Sequence, residues 1–122
     1  MKKSIGILLC MLCTLSIGAQ QMKKINRTNL CEGDLLFCAK EASNPITEVT
    51  QGVSGMKIDH VAIVHKQANK TYALEAIHKG VTLTPMDSFM ARREMVVAAR
   101  LCDTLGVAQS VERALSFLGR PY

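Results

Sequence analysis

The chain has no tryptophan, and only three phenylalanines and two tyrosines among 122 residues. A surface that stacks sugars or unpaired bases needs aromatic rings, so carbohydrate-stacking and single-strand nucleic-acid platforms are excluded on composition. The core must be built from Val, Ile, Leu, Ala and Met instead. Beyond residue 19 no Cys-x-x-Cys or His-x-x-x-His pair occurs, which removes the usual spacings of a zinc site from that part of the chain. No Gly-x-Ser-x-Gly elbow occurs either, which argues against a serine hydrolase of that type. Repeats and low-complexity tracts are absent. No apolar run reaches the roughly 20 residues that a membrane-spanning helix needs.

What the chain does have begins with an address. Met1-Lys2-Lys3 is a basic start, Ile5 to Ile17 is an almost unbroken apolar run, and Gly18-Ala19-Gln20-Gln21 supplies small residues for cleavage. That order is a secretory signal, so residues 1–19 are expected to be removed on export to a periplasmic or extracellular space. Cys10 and Cys13 follow Leu9 and Leu12 rather than a small residue, so lipid attachment is not expected.

Without Lys2 and Lys3, 13 of the 15 basic residues stand against 10 acidic ones, and the net charge falls from +5 to +3. A charge that small and scattered does not make a nucleic-acid footprint. Cys31, Cys38 and Cys102 remain after cleavage. Export permits disulfides, and a Cys31–Cys102 bridge is one open arrangement, but an odd and sparse set is no disulfide scaffold.

Residues 20–32 read as an exposed leader, with Lys23, Lys24 and Arg27 as a solvated basic cluster, and residues 33–122 as one small domain. Gly33-Asp34 is a turn leading into a buried strand, Leu35 to Cys38. Asn44-Pro45 starts a short helix that fades by Gly52 to Gly55. Val81 to Thr84 is a strand that Pro85 ends. Asp87 to Arg92 makes a helical turn or two, and Met95 to Leu101 is a further strand. Val107, Val111, Ala114, Leu115 and Leu118 line one face of a last helix, which Gly119 stops. Strands followed by a packing helix indicate an α+β domain.

The stretch with the most chemistry is a hairpin. Asp59-His60-Val61-Ala62-Ile63-Val64-His65 and Tyr72-Ala73-Leu74-Glu75-Ala76 are apolar runs separated by the polar break Gln67-Ala68-Asn69-Lys70. An even loop gives cross-strand partners whose numbers add to an odd total such as 137. Ala62 then faces Glu75 and His60 faces Ile77, so His60 and Glu75 become diagonal neighbours on one face, roughly 7–8 Å apart at the backbone. His65, five residues on, points to the other face, and His78 lies in a turn. An imidazole beside a carboxylate is a base with an orienting acid. The plainer reading is a solvated His beside a surface Glu, and periodicity alone does not displace it.

Covalent catalysis also needs a nucleophile within reach of the imidazole. Cys38 sits inside an apolar strand, where a thiol behaves as a small hydrophobe. Cys31 lies in the leader turn and Cys102 at a strand end, and nothing marks out either one.

Taken in order, Gly33-Asp34-Leu35-Leu36-Phe37, Asp59-His60-Val61-Ala62-Ile63-Val64, Leu74-Glu75-Ala76, Gly80-Val81-x-x-Thr84-Pro85-x-x-x-Phe89 and Leu118-Gly119-Arg120-Pro121-Tyr122 resemble the YiiX/YaeF-like family. Its members are circularly permuted relatives within the NlpC-type, papain-like cysteine peptidase superfamily. The resemblance implies that His60 is the catalytic base and Glu75 the acid that orients it. It implies that the small Ala62 leaves the imidazole room. It also implies a nucleophilic cysteine downstream of the Gly-x-Pro-Tyr motif, a position that none of Cys31, Cys38 or Cys102 matches.

The expectation is an α+β, papain-like (permuted NlpC-type) antiparallel sheet with packing helices, C-terminally incomplete. The function expected is that of an exported cysteine amidohydrolase or peptidase acting on amide bonds, with peptidoglycan-derived peptides among the candidate substrates. The 122-residue form, lacking the nucleophile, is expected to be inactive. No cofactor, metal, nucleic acid or stable membrane span is expected. The alternative is a binding or interaction protein that keeps the fold without catalysis.

Overall fold

Residues 22–40 and 56–122 are described by the computed structural model. The expected signal at residues 1–19 and the short helix expected from Asn44-Pro45 lie outside the described residues. Among the described residues six strands pair in an antiparallel sheet of order β1-β6-β2-β3-β4-β5. They are β1 (Met22–Ile25), β2 (Leu35–Ala39), β3 (Ile58–Gln67), β4 (Lys70–Ile77), β5 (Gly80–Pro85) and β6 (Met95–Leu101). Helix α1 (Met86–Ala91) links β5 to β6, and α2 (Val107–Leu115) follows β6.

The register explains the two faces. Leu36 opposes Ala62 and Ala98, Cys38 opposes His60 and Val96, and Val64 opposes Ala73. Opposed residues share a face, so Leu36, Cys38, Ala62, Val64, Ala73, Val96 and Ala98 form one buried layer, closed by Leu30 and Phe89. Phe89 is the α1 residue buried in that layer, and truncating a ring so placed costs about 3–5 kcal/mol. Asp87 in the first turn of α1 suits the positive end of its dipole. Phe89 and Cys38 apart, the core layer is built of aliphatic side chains.

The opposite face is partly covered by α2, where Val107 and Val111 border a cleft with Leu35, Ile63 and Leu101. Gly33 permits this approach. Its φ of +78° suits glycine, and a Cβ there would run into the Val107 side chain. The helix ends at Leu115, earlier than its apolar pattern suggests, and Leu118 is exposed. Beyond it, the Val81 N–H donates to the Arg120 carbonyl and the Gly119 N–H donates to the Val81 carbonyl, both at 2.9 Å. The chain near its last residues is thus clipped to the free edge of β5.

Two expectations are corrected. The leader at residues 20–32 is not simply exposed, because Met22–Ile25 pairs with Ala98–Leu101 as an edge strand and Leu30 is buried in the core. Lysines read as a solvated cluster, yet charged residues are also what edge strands carry. The open question of a Cys31–Cys102 bridge closes, since Cys31, Cys38 and Cys102 are all free thiols. Among the described residues no helix is long and apolar enough to cross a membrane.

Candidate active site

His60 comes from the central strand β3, and Glu75 from its neighbour β4. The β3–β4 ladder runs from Gln67↔Lys70 to Ile63↔Leu74, each pair adding to 137. The two-residue turn that sets this register is Ala68-Asn69, with Ala68 at a φ of 52°. Continued one and three residues further, the register puts Glu75 and His60 on the core face. The His60 Nε2–H donates to Glu75 Oε2 at 2.8 Å. An ionised carboxylate only accepts, so Nε2 carries the proton and the neutral ring keeps its lone pair on Nδ1.

Glu75 is not the solvated surface acid of the plainer reading. It is 2% exposed. Thr84 Oγ1 donates to its Oε1 at 2.6 Å and Arg92 Nη2 at 2.7 Å, while Arg93 Nη2 reaches Oε2 at 3.0 Å. Burial pushes its carboxyl up, but hydrogen bonds from Thr84, Arg92 and His60 outweigh that and hold it below the usual carboxylate range. A carboxylate so held stays ionised and fixes the imidazole's tautomer.

Sequence reasoning missed these donors. Thr84 was within reach of it, because the β4–β5 ladder pairs Glu75 with Thr82 across the His78-Lys79 turn, which makes Thr84 a same-face neighbour. Arg92 and Arg93 carry no such signal. They follow α1, whose seating depends on Phe89, and Arg93 stands over that ring at 5.2 Å.

The remaining candidates separate cleanly. His65 Nδ1 meets Glu32 Oε1 at 2.8 Å on the other face, and Glu32 Oε2 accepts from the Lys66 N–H. His78 is exposed in its turn. Cys31 and Cys102 are exposed, and neither hydrogen-bonds His60. Cys38 lies opposite His60 in the β2–β3 ladder, yet it is 1% exposed. Its burial pushes the thiol up to about 11. Just past this pair the ladder slips, Ala39 pairing with Ile58 and leaving Asp59 as the extra residue of a bulge. Asp59 binds Lys40 at 3.4 Å.

The antiparallel sheet, its flanking helices and the oriented His–acid pair define a papain-like protein of the α+β class. Residues 29–122 match the family described as permuted papain-like amidase enzyme, YaeF/YiiX, C92, and the chain belongs to that family. The crystal structure of the metalloprotein YiiX from Escherichia coli O157:H7 shares the fold, with a TM-score of 0.56 at 22% identity. The match covers 75% of this chain and 52% of that one, so the chain spans about half the length of the solved protein. No curated protein matches the sequence. Among the described residues no three His, Cys, Asp or Glu converge as metal ligands would.

Proposed function

We propose that the whole protein is an exported cysteine amidohydrolase, with His60 as general base and Glu75 as its positioning acid. The observation that supports this best is the 2.8 Å bond from His60 Nε2 to a buried, four-times-bonded carboxylate. It leaves Nδ1 as the lone pair able to take a proton. Export rests on the basic, apolar and small-residue order of residues 1–21.

The nucleophile in this proposal is a cysteine following Tyr122 in the whole protein, as the family resemblance implies. Its S–H proton passes to His60 Nδ1, and the sulfur attacks the amide carbonyl. The tetrahedral intermediate expels the amine, which takes the proton back from His60. Water, deprotonated by the same nitrogen, then attacks the thioester and releases the acid and the thiol. Glu75 stabilises the imidazolium that forms twice in this cycle. Substrates proposed are amides, with cell-wall peptides one class.

The test is a trapped acyl-enzyme. Whole protein incubated with an activated amide or ester should gain the acyl mass on one cysteine downstream of Tyr122. His60→Ala should abolish that gain. Acylation that persists without His60, or that maps to Cys31, Cys38 or Cys102, refutes the assignment.

A further inference from the structure

Glu75 is bonded more heavily than an orienting acid requires. Thr84 and Arg93 already occupy one site on each of its oxygens. Arg92 adds a second guanidinium at Oε1, so two fixed cations meet one carboxylate. The nearby Asp59 is turned to Lys40. The two arginines differ in setting. The Arg93 side chain is 15% exposed and lies against Phe89, whereas that of Arg92 is 47% exposed. Arg93 is a brace. Arg92 opens to solvent while bonded to the same carboxylate as the imidazole.

The use of its nitrogens sharpens this. Arg92 Nε donates to the Ser88 carbonyl at 3.3 Å and Nη2 donates to Glu75 Oε1 at 2.7 Å. Those bonds consume one edge of the planar guanidinium. The other edge, carrying Nη1 and the second Nη2 proton, has no acceptor among the described residues. A guanidinium gripped along one edge is rotationally fixed, and its outward fork matches a carboxylate in geometry and charge. Arg92 and His60 are bound to the two oxygens of one carboxylate, so the guanidinium and the imidazole are held on opposite oxygens of the same buried acid.

Building on the proposed amidase function, we propose that Arg92 is a specificity-determining residue that selects amides with a free carboxylate a few bonds from the scissile carbonyl. The substrate's carboxylate forms a two-pronged pair with the outward edge of Arg92. This fixes the direction in which the amide lies across His60. A neutral amide of the same shape leaves the fork unmatched.

The experiment compares binding of N-acetylglycinate and N-acetylglycinamide to the whole protein, followed through the Arg92 Nε–H and His60 ring resonances. The carboxylate is expected to bind roughly 10–100-fold more tightly, the range set by a hydrogen bond to a charged group. Arg92→Gln should bring the two probes to parity. Arg92→Lys should restore part of the preference, since it keeps the charge and loses the fork. Equal affinity in the unmutated protein, binding of neither probe, or a preference that survives Arg92→Gln overturns the proposal. Failure of the amidase reading is scored separately, as acylation that does not depend on His60.

Discussion

Cys38 and His60 stand opposite each other in the β2–β3 ladder, placing a thiol and an imidazole on the same buried face. They do not work as a couple. No hydrogen bond joins them, and burial raises the thiol to about 11, with nearby Arg93 countering only in part. A nucleophile needs the thiolate, and this position withholds it.

The first expected outcome follows directly. Iodoacetamide at about pH 8 should label Cys31 and Cys102, both exposed, and spare Cys38 until the protein unfolds. Peptide mass mapping after a timed pulse checks this. The raised thiol also adds stability that is whole below its ordinary range and is lost as pH climbs through about 11.

Acid should act on Glu75 in the opposite sense. Its carboxyl is held below the usual range. The stability it contributes is complete above about pH 4.3, the ordinary carboxylate value, and fades as pH falls through the lower folded-state value. The gap in unfolding free energy between unmutated protein and Glu75→Gln should therefore narrow below about pH 4. Urea titrations across that range measure it, and a constant gap would mean that Glu75 is not held ionised.

In turnover, Glu75→Gln should lower kcat by about 10²–10⁴-fold while changing KM little. The amide side chain can donate to Nε2 and favour the wrong tautomer. Steady-state kinetics of the whole protein give the split. An effect confined to KM would assign Glu75 to binding instead.

Asp34 is fully buried, and Arg100 meets it with Nε at 2.7 Å and Nη2 at 2.8 Å. Arg100→Met should cost about 3 kcal/mol, because it strands a buried carboxylate. Chemical denaturation measures the loss. The Asp34 Oδ2 bond from the Cys31 N–H at 2.7 Å softens it without replacing the charge.

Gly80 has a φ of +107°, and a Cβ there would sit 2.5 Å from the Arg120 carbonyl oxygen. Gly80→Ala should destabilise by about 1–3 kcal/mol. It should also release the amides of Val81 and Gly119 to rapid hydrogen exchange. Protection that survives the substitution would show that the clip does not depend on this close approach.

The legible part of the molecule was the part governed by local period. The β3–β4 hairpin has a short even turn and alternating residues, so its register alone places His60 beside Glu75. The β5 strand and the short α1 were readable because Gly80 and Pro85 punctuate them. What stayed hidden depends on contacts distant in sequence. Arg92 and Arg93 reach Glu75 from 17 and 18 residues away, and Asp34 meets Arg100 across 66. The pairing of β1 with β6 is equally remote, and its two lysines look like solvent-facing sequence. Burial of Glu75 followed from those same contacts, which is why it read as a surface acid.

The clip of Gly119 and Arg120 onto Val81 also fixes where the last described residues lie on the sheet. Val81 and Gly80 pair with Ala76 and Ile77, the end of β4 that the hairpin register sets against His60. In the whole enzyme proposed above, a segment following Tyr122 would start from an anchored point at that end of the sheet. For a loop begun there, the entropic cost of returning to the imidazole grows only slowly with length, at about (3/2)RT ln n. A side chain carried on a short loop of that kind would meet His60 at high effective concentration.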